Sequence, residues 1–527
     1  MAETKTRASN AVLPVILIRG FGGLSVADEQ KLTYQGFNEG TVYPHKRGEN
    51  YIYEGMILRL LKSRWGYRDA TNVVGYYSNP VEAARDIPPE IDHLPAACFM
   101  GDCIVMDPGM ARQILESGED PCRTVWVFRY YDLKNREFAE YGRALVRLIM
   151  LVRGVCTRRG SSESPRVNII AHSMGGLIVR EAIQRTLPAA GERAVDHINK
   201  VVTLGTPHRG ISFQLLERWI PPVEAREELE RFNPKVQADP ADETSAVNFH
   251  KYFQPQRLLT VVGTNYKAYS VRGASWANRL FSLPDEYGPS YNRSDGLVKQ
   301  TNAQIEGAPR TFVHKCHGGE DSLVTSREAF EIATRFFFGD VRARLRLVSA
   351  KVKRGKDLIG KSEFFLGLSV KPRGVDFDLF HQSAEAENCY GPFNKLDLSD
   401  EDPAFGWAGP NRLIWEGWFD TSQILTSATR ERREIVVRLD FYVGERDLLG
   451  LGFSDNIVFR KHYYVRAVLE PALELFRHTD ERFIDKGYDI PEEDRMLEKD
   501  GAWEFEVRGT GFDGVLRIEF DRLTEEA

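Results

Sequence analysis

Between residues 11 and 338 the chain alternates two kinds of apolar pattern. Val12–Ile18, Thr124–Tyr131 (TVWVFRYY), Arg166–Ala171 (RVNIIA), Lys200–Leu204 (KVVTL), Arg257–Val262 (RLLTVV) and Arg310–Cys316 (RTFVHKC) are short, nearly continuous apolar runs. Such runs predict strands buried on both faces of a parallel sheet. Phe138–Val155, Gly176–Leu187 and Thr325–Phe338 instead carry apolar residues at helical spacing. The β-α-β-α order predicts an α/β unit, a mostly parallel sheet flanked by helices.

Two stretches interrupt this alternation and read as insertions. Residues 25–120 are rich in Gly, Pro, Tyr and Asn and are expected to cover the upper edge of the sheet. Residues 211–255 include ISFQLLERWIPP, in which Ile211, Leu215 and Trp219, with Phe213, Leu216 and Ile220, give a short helix a wide apolar face. That helix either packs on the core or forms a lid over an apolar channel.

Beyond residue 340 the period becomes two. Ala343, Leu345 and Leu347 alternate with Arg342, Arg344 and Arg346; Ile435, Val437, Leu439 and Phe441 repeat the pattern. So do Trp503, Phe505 and Val507, then Leu516, Ile518 and Phe520. Antiparallel strands with one buried face produce this alternation. The expected organisation is therefore 11–340 as the α/β unit and 341–527 as a separate, mostly β, sandwich-like domain. Residues 467–500 read as helical or irregular within it.

Composition narrows the classes. A chain of 527 residues exceeds one ordinary core. Its formal net charge of −6 speaks against a nucleic-acid partner, which calls for a basic excess. No apolar run reaches the ~18–20 residues a membrane helix needs. The run after MAETKTRASN is short, contains Pro14 and lacks a small-residue cleavage site. A cytoplasmic location, or export that needs no signal, is expected. The six cysteines form no CxxC pair and read as buried thiols, with Cys98 and Cys103 a disulfide candidate if the protein is exported.

The densest chemical signal is AHSMGG, residues 171–176, between the strand RVNII and the helix GLIVREAIQRTL. A strand, a sharp turn and a helix lift the Ser173 side chain above the sheet edge, and small residues must flank it, here Ala171, Gly175 and Gly176. A serine hydroxyl needs a base to take its proton and a carboxylate to orient that base. On such an elbow the acid follows the serine and the histidine follows the acid. Asp295, in the turn-like NRSDGLV, and His317, in KCHGGED just after the last strand, fit this order; His314 rivals His317, and Asp285 and Asp321 are alternates for the acid. An oxyanion needs two backbone N–H donors. Met174 follows the nucleophile, and Phe21 lies in the glycine-rich loop RGFGG after the first strand.

Taken together, RGFGG, AHSMGG, LGTPHRG, SDGLV and the late histidine resemble the lipase and esterase families of the α/β-hydrolase superfamily, over roughly residues 11–338. The resemblance implies Ser173, Asp295 and His317 as nucleophile, acid and base. It implies Phe21 and Met174 as the oxyanion hole, with Gly22, His172, Thr206, Pro207 and His208 against the substrate. The expected reaction is hydrolysis of an ester through an acyl-enzyme, with a lipid-like substrate suggested by the apolar helix near Trp219 and by GTPHRG; no GxGxxG follows the first strand, and no cofactor or metal is expected. One departure stands out: those families usually place His-Gly before the oxyanion residue, and this chain has Arg19-Gly20. The alternatives are a non-catalytic hydrolase-fold scaffold, and an acyltransferase or amidase using the same triad.

The segment LRLVSAKVKRGKDLIGKSEFFLGLSV faintly resembles the opening of calcium-dependent lipid-binding β-sandwich domains, through Asp357, Gly360, Lys361 and Ser362. Glu363 stands where those domains carry Asp, and the acidic cluster Glu445, Asp447 and Asp455 is loosely spaced. Rather than a calcium site, an accessory sandwich is expected that touches a protein partner or a peripheral membrane surface, or stabilises the hydrolase. The basic run Arg342, Arg344, Arg346, Lys351, Lys353, Arg354 and Lys356 reads as a solvated face, or as a contact for anionic headgroups.

Overall fold

The computed structural model describes residues 12–20, 53–71, 74–75, 105–106, 108–130, 137–157, 164–211, 230–268, 293–319, 321–352, 363–393, 412–423, 434–446, 456–479 and 492–523. The chain divides into two compact units. One comprises Met1–Ser282, Ser294–Pro309 and Lys315–Ala333; the other comprises Leu283–Arg293, Arg310–His314 and Thr334–Ala527.

In the first, β1 (Val15–Ile18) is followed by helix α1 (Glu54–Leu61), β2 (Arg68–Asp69), the short pair β3 (Val74–Gly75) and β4 (Val105–Met106), and α2 (Pro108–Glu116). Then come β5 (Thr124–Phe128), α3 (Phe138–Cys156), β6 (Val167–His172) and α4 (Met174–Glu181). β7 (Ile198–Leu204) and β8 (Leu258–Gly263) follow; β9 (Arg310–Val313) falls in the second unit, and α5 (Arg327–Phe338) runs from the first into the second. The central sheet has seven strands in the order β2-β5-β1-β6-β7-β8-β9. Every described pairing from β2 to β8 is parallel.

The apolar runs form these strands because both sheet faces are covered. All four residues of β1, all five of β5 and all six of β6 are buried. Helix α3 buries Phe138, Tyr141, Leu145, Leu148, Val152 and Val155, one stripe at helical spacing, and packs against α4. Each such side chain removed from water contributes about 1.5–3 kcal/mol before the cost of ordering it. The helix after β6 begins at Met174, two residues earlier than its apolar pattern predicts, and continues through a π turn (Ala182–Thr186) to Ala189.

The expected insertion at 25–120 is more than a cover, because β2 pairs in parallel with β5 and forms the sheet's edge. A two-residue strand has no periodicity to read. The strand expected to reach Cys316 ends at Val313, and Cys316 makes an isolated bridge to Ser322. The apolar helix around Trp219 lies outside the described residues. Downstream of it are a short helix (Pro234–Gln237) and a 3₁₀ turn (Ala246–Lys251).

Strand order dictates where a site forms. From β1 the chain crosses to β5 on one side and then returns to β6 on the other. The connections diverge there, leaving a crevice beyond the carboxyl ends of β1 and β6. Gly20 and Ser173 emerge at that point.

The second unit carries two antiparallel sheets. β14 (Leu413–Phe419), β10 (Val341–Val352), β20 (Phe512–Arg522), β19 (Ala502–Arg508) and β18 (Glu498–Lys499) form one, in that order. β12 (Phe380–His381), β11 (Glu363–Pro372), β15 (Glu434–Arg446), β16 (Asn456–Val468) and β17 (Glu474–His478) form the other, with β13 (Tyr390–Phe393) also on β11. Rings from the two sheets meet, Phe441 with Phe512 at 5.3 Å and Tyr463 with Phe505 at 5.7 Å, so the inner faces pack on one another.

Residues 467–500 depart in part from the helical or irregular expectation: β16 runs to Val468 and ELFRH is a strand paired with it from Val468↔Glu474 to Tyr464↔His478, whereas Glu492–Asp494 is a 3₁₀ turn and 480–491 lie outside the described residues. The helix formers Ala472, Leu473 and Glu474 invite a helix locally; pairing to a neighbouring strand overrides them. The expected basic face is also modified. Arg344 meets Glu519 at 2.9 Å and Asp521 at 2.7 Å, Arg342 meets Asp521 at 2.9 Å, and Arg346 meets Glu519 at 2.9 Å. These three arginines pair with carboxylates of the adjacent strand β20, and Arg342 also meets Glu416 of β14 at 3.7 Å. Lys353, Arg354, Lys356, Asp357, Gly360, Lys361, Ser362, Asp447 and Asp455 lie outside the described residues.

Candidate active site

Strand β6 ends at His172, and Ser173 turns the chain into α4 with φ 52° and ψ −125°. This is a strained conformation for a residue with a Cβ. It is held by the Ser173 N–H, which donates to the Leu204 carbonyl of β7 at 2.9 Å. Close neighbours explain two of the glycines. A Cβ on Gly176 would lie 2.2 Å from Thr206 Oγ1, and one on Gly20 would lie 2.7 Å from Ser173 Cβ. The loop after β1 therefore abuts the serine itself.

His317 and Asp295 come to the same edge from loops after the later strands. His317 Nε2 is 2.9 Å from Ser173 Oγ, and His317 Nδ1 is 2.8 Å from Asp295 Oδ2. A carboxylate only accepts, so Nδ1 donates to it and Nε2 is left to accept from the serine hydroxyl. The other carboxylate oxygen accepts from the N–H groups of Leu297 (3.0 Å) and Val298 (2.7 Å), and the His317 N–H donates to the Asp295 carbonyl at 2.8 Å. The aspartate is thus pinned by its own turn, which is what DGLV encodes. Ser173, His317 and Asp295 are 6%, 4% and 1% exposed, so water does not weaken these bonds.

The rivals sit elsewhere. His314 packs at a tilt against His381, ring centres 5.9 Å apart, and Asp321 pairs with Lys315 at 2.7 Å. Asp285 lies outside the described residues, as do Phe21 and Gly22. Met174 is buried as the first residue of α4, where an N–H has no carbonyl one turn back to bond within the helix. Its amide and the positive end of the helix dipole favour negative charge beside Ser173.

Of the other residues expected against substrate, His172, Thr206, Pro207 and His208 are all buried. Thr206 presses on Gly176, and His208 is fully buried with Nε2 3.0 Å from Thr203 Oγ1. Burial, with Arg180 and Arg209 nearby, pushes the His208 imidazole well below its ordinary basicity. His172 is buried with both ring nitrogens engaged, Nδ1 with the Tyr53 hydroxyl and Nε2 with the His317 carbonyl.

The GTPHRG segment is clamped by a guanidinium the sequence reading did not single out. Arg180 is 2% exposed; it donates through Nη1 to the His208 carbonyl at 2.9 Å, through Nη2 to the Thr244 carbonyl, and through Nε to Gln184 at 2.9 Å. Burial, with Arg231 beside it, lowers its pKa to about 9. Tyr53 and Tyr130 were likewise missed. Tyr130 had a signal: the β1–β5 register pairs Ile18 with Phe128, so two residues on it comes level with Gly20, whose carbonyl accepts from its hydroxyl at 2.6 Å.

Strand order and the geometry at the ends of β1 and β6 define the class, an α/β-hydrolase fold. More particularly, residues 123–233 match the family model described as a PGAP1-like alpha/beta domain. The matched stretch runs from β5 past the serine elbow and GTPHRG, and excludes Gly20, Asp295 and His317. No curated protein matches the chain. Among solved structures, it is similar to the mature lipase BlEst2 of Bacillus licheniformis (14% identity, 62% of this chain and 93% of that one, TM-score 0.30). It is similar also to the phospholipase PlaB of Legionella pneumophila (10%, 89% and 90%, TM-score 0.32). A third is the metagenomic carboxyl esterase MGS0156 (13%, 63% and 76%, TM-score 0.28). Among the described residues no group of His, Cys, Asp and Glu has the makings of a metal site, and no helix is long and apolar enough to cross a membrane.

Proposed function

We propose that the protein is a serine hydrolase that cleaves carboxylic esters, apolar ones by preference, through an acyl-enzyme on Ser173. The observation that carries this reading is the unbroken chain of two hydrogen bonds from Asp295 through His317 to the Ser173 hydroxyl, on a serine held at φ 52°. Ser173 Oγ attacks the ester carbon as His317 Nε2 takes its proton. Asp295 keeps the imidazole in the tautomer that can accept that proton and stabilises the imidazolium that forms. The carbonyl oxygen becomes an oxyanion against the Met174 amide, with Phe21 as the expected second donor. His317 then protonates the leaving alkoxide, and water, deprotonated in turn by His317, releases the acid.

In this reading residues 11–340 act as the catalytic domain, and 341–527 as an accessory β domain that engages a protein or membrane surface. The test is hydrolysis of p-nitrophenyl esters of rising acyl length, with labelling of Ser173 by a fluorophosphonate. Ser173→Ala should lose at least about 10⁴-fold in kcat, as removal of a triad nucleophile does elsewhere, while folding normally. Full turnover by Ser173→Ala refutes the nucleophile, and a strict preference for the shortest soluble esters refutes the apolar-substrate part.

A further inference from the structure

The site contains a second histidine, and its protons can be assigned from its neighbours. The His317 carbonyl only accepts, so His172 Nε2 carries the proton and donates to it at 2.9 Å. In the neutral ring Nδ1 is then bare, and the Tyr53 hydroxyl donates to it at 2.5 Å. The Tyr53 oxygen in turn accepts from the Gly20 N–H at 3.0 Å. Burial, reinforced by the adjacent His317, holds the His172 imidazole well below its ordinary basicity, which keeps this neutral arrangement. The three bonds point the same way, from Gly20 through Tyr53 and His172 to His317, so each polarises the next.

We propose that Tyr53 and His172 are positioning residues, a relay that ties the backbone of Gly20, after β1, to the backbone of His317, which carries the base. The inference rests on the reading of Ser173 as nucleophile. Gly20 abuts Ser173 Cβ, and His317 Nε2 lies 2.9 Å from Ser173 Oγ, so the relay fixes both flanks of the serine at once. Asp295 orients the ring of His317; His172 holds its main chain. The Tyr130 hydroxyl, on the Gly20 carbonyl, anchors the other end. A histidine before the glycine is what the lipase-like pattern ordinarily supplies, and Arg19 stands there in this chain. The relay holds Gly20 from Tyr53, just before α1, and from His172 at the end of β6. A misplacement of about 1 Å at a reacting group costs on the order of 10²-fold in rate.

The experiment uses the full chain as wild type, Tyr53→Phe, His172→Gln, His172→Ala and the Tyr53→Phe/His172→Gln double variant. Hydrolysis of p-nitrophenyl butyrate and the rate of fluorophosphonate labelling at Ser173 are measured for each. Tyr53→Phe should lower kcat by about 10–100-fold and labelling in parallel, with KM within about two-fold of wild type. His172→Gln, which keeps a donor for the His317 carbonyl, should retain more turnover than His172→Ala. The double variant should be no slower than the worse single one, because both break the same relay. An unshifted thermal midpoint for Tyr53→Phe separates positioning from stability. Wild-type turnover and labelling in Tyr53→Phe, multiplying effects in the double variant, or a loss confined to KM would each overturn the proposal. An unlabelled wild type overturns the nucleophile reading and this inference with it; a labelled wild type with an unaffected Tyr53→Phe overturns the inference alone.

Discussion

The ends of β1 and β6 and the outer face of β10 both gather polar side chains on sheet scaffolds, and they use them in opposite ways. At the ends of the parallel strands, Ser173, His317 and Asp295 are almost fully buried and hydrogen-bonded in a single line, serine to histidine to aspartate. On the antiparallel face, Arg342, Arg344 and Arg346 are about one-quarter exposed and share the carboxylates of Glu519 and Asp521 among them. A parallel sheet sends every strand end to the same edge, so residues distant in sequence converge there. An antiparallel face instead lays complementary charges side by side, and its residues neutralise one another locally. The first arrangement supports chemistry; the second supports pairing.

Substitutions can break or sharpen this contrast. The largest effect is expected for Asp295→Asn, which should cut kcat by about 10⁴-fold with little change in unfolding temperature, because the wrong His317 tautomer is then favoured. An unimpaired kcat in ester assays would remove Asp295 from the site. Arg180→Met should leave the His208 and Thr244 carbonyls and the Gln184 side-chain oxygen without their buried donor; at about 1–3 kcal/mol for each unsatisfied group, the largest loss of stability in this set is expected in denaturant unfolding. Gly20→Ala forces a methyl against Ser173 Cβ and should cost about 1–3 kcal/mol from overpacking, read in the same unfolding experiment, together with slower fluorophosphonate labelling. The smallest effect is expected for Arg344→Ala. Partly exposed ion pairs are worth about 0.2–1 kcal/mol, so stability should fall by about that much, less at high salt, with turnover unchanged. A large kcat loss in Arg344→Ala would dissolve the distinction between the two regions.

Legibility in the sequence followed the distance over which each feature is encoded. The elbow was readable because the strand RVNII, the flanking small residues and the following helix lie within about two dozen residues, and their order alone implies a sharp turn. Asp295 was readable from the DGLV turn, whose amides hold its carboxylate. Tyr53 was not, because it precedes a helix far from any motif and reaches Gly20 and His172 only after α1 docks. ELFRH was misjudged because its residues favour a helix in isolation and its strand state comes from β16. The arginine stripe was legible as a stripe, but its partners on β14 and β20 were not.

What the sequence by itself determined is therefore the set of local states: apolar runs that must be buried on two faces, an alternating C-terminal half, and a serine on a turn only small neighbours permit. Tertiary structure alone decided which polar atoms meet. Register between parallel strands brings Tyr130 level with Gly20, and the loops after β8 and β9 carry Asp295 and His317 to Ser173. Hydrogen bonds act over about 3 Å, and no pattern along the chain specifies separations that fine until the strands have paired and the helices have closed over them.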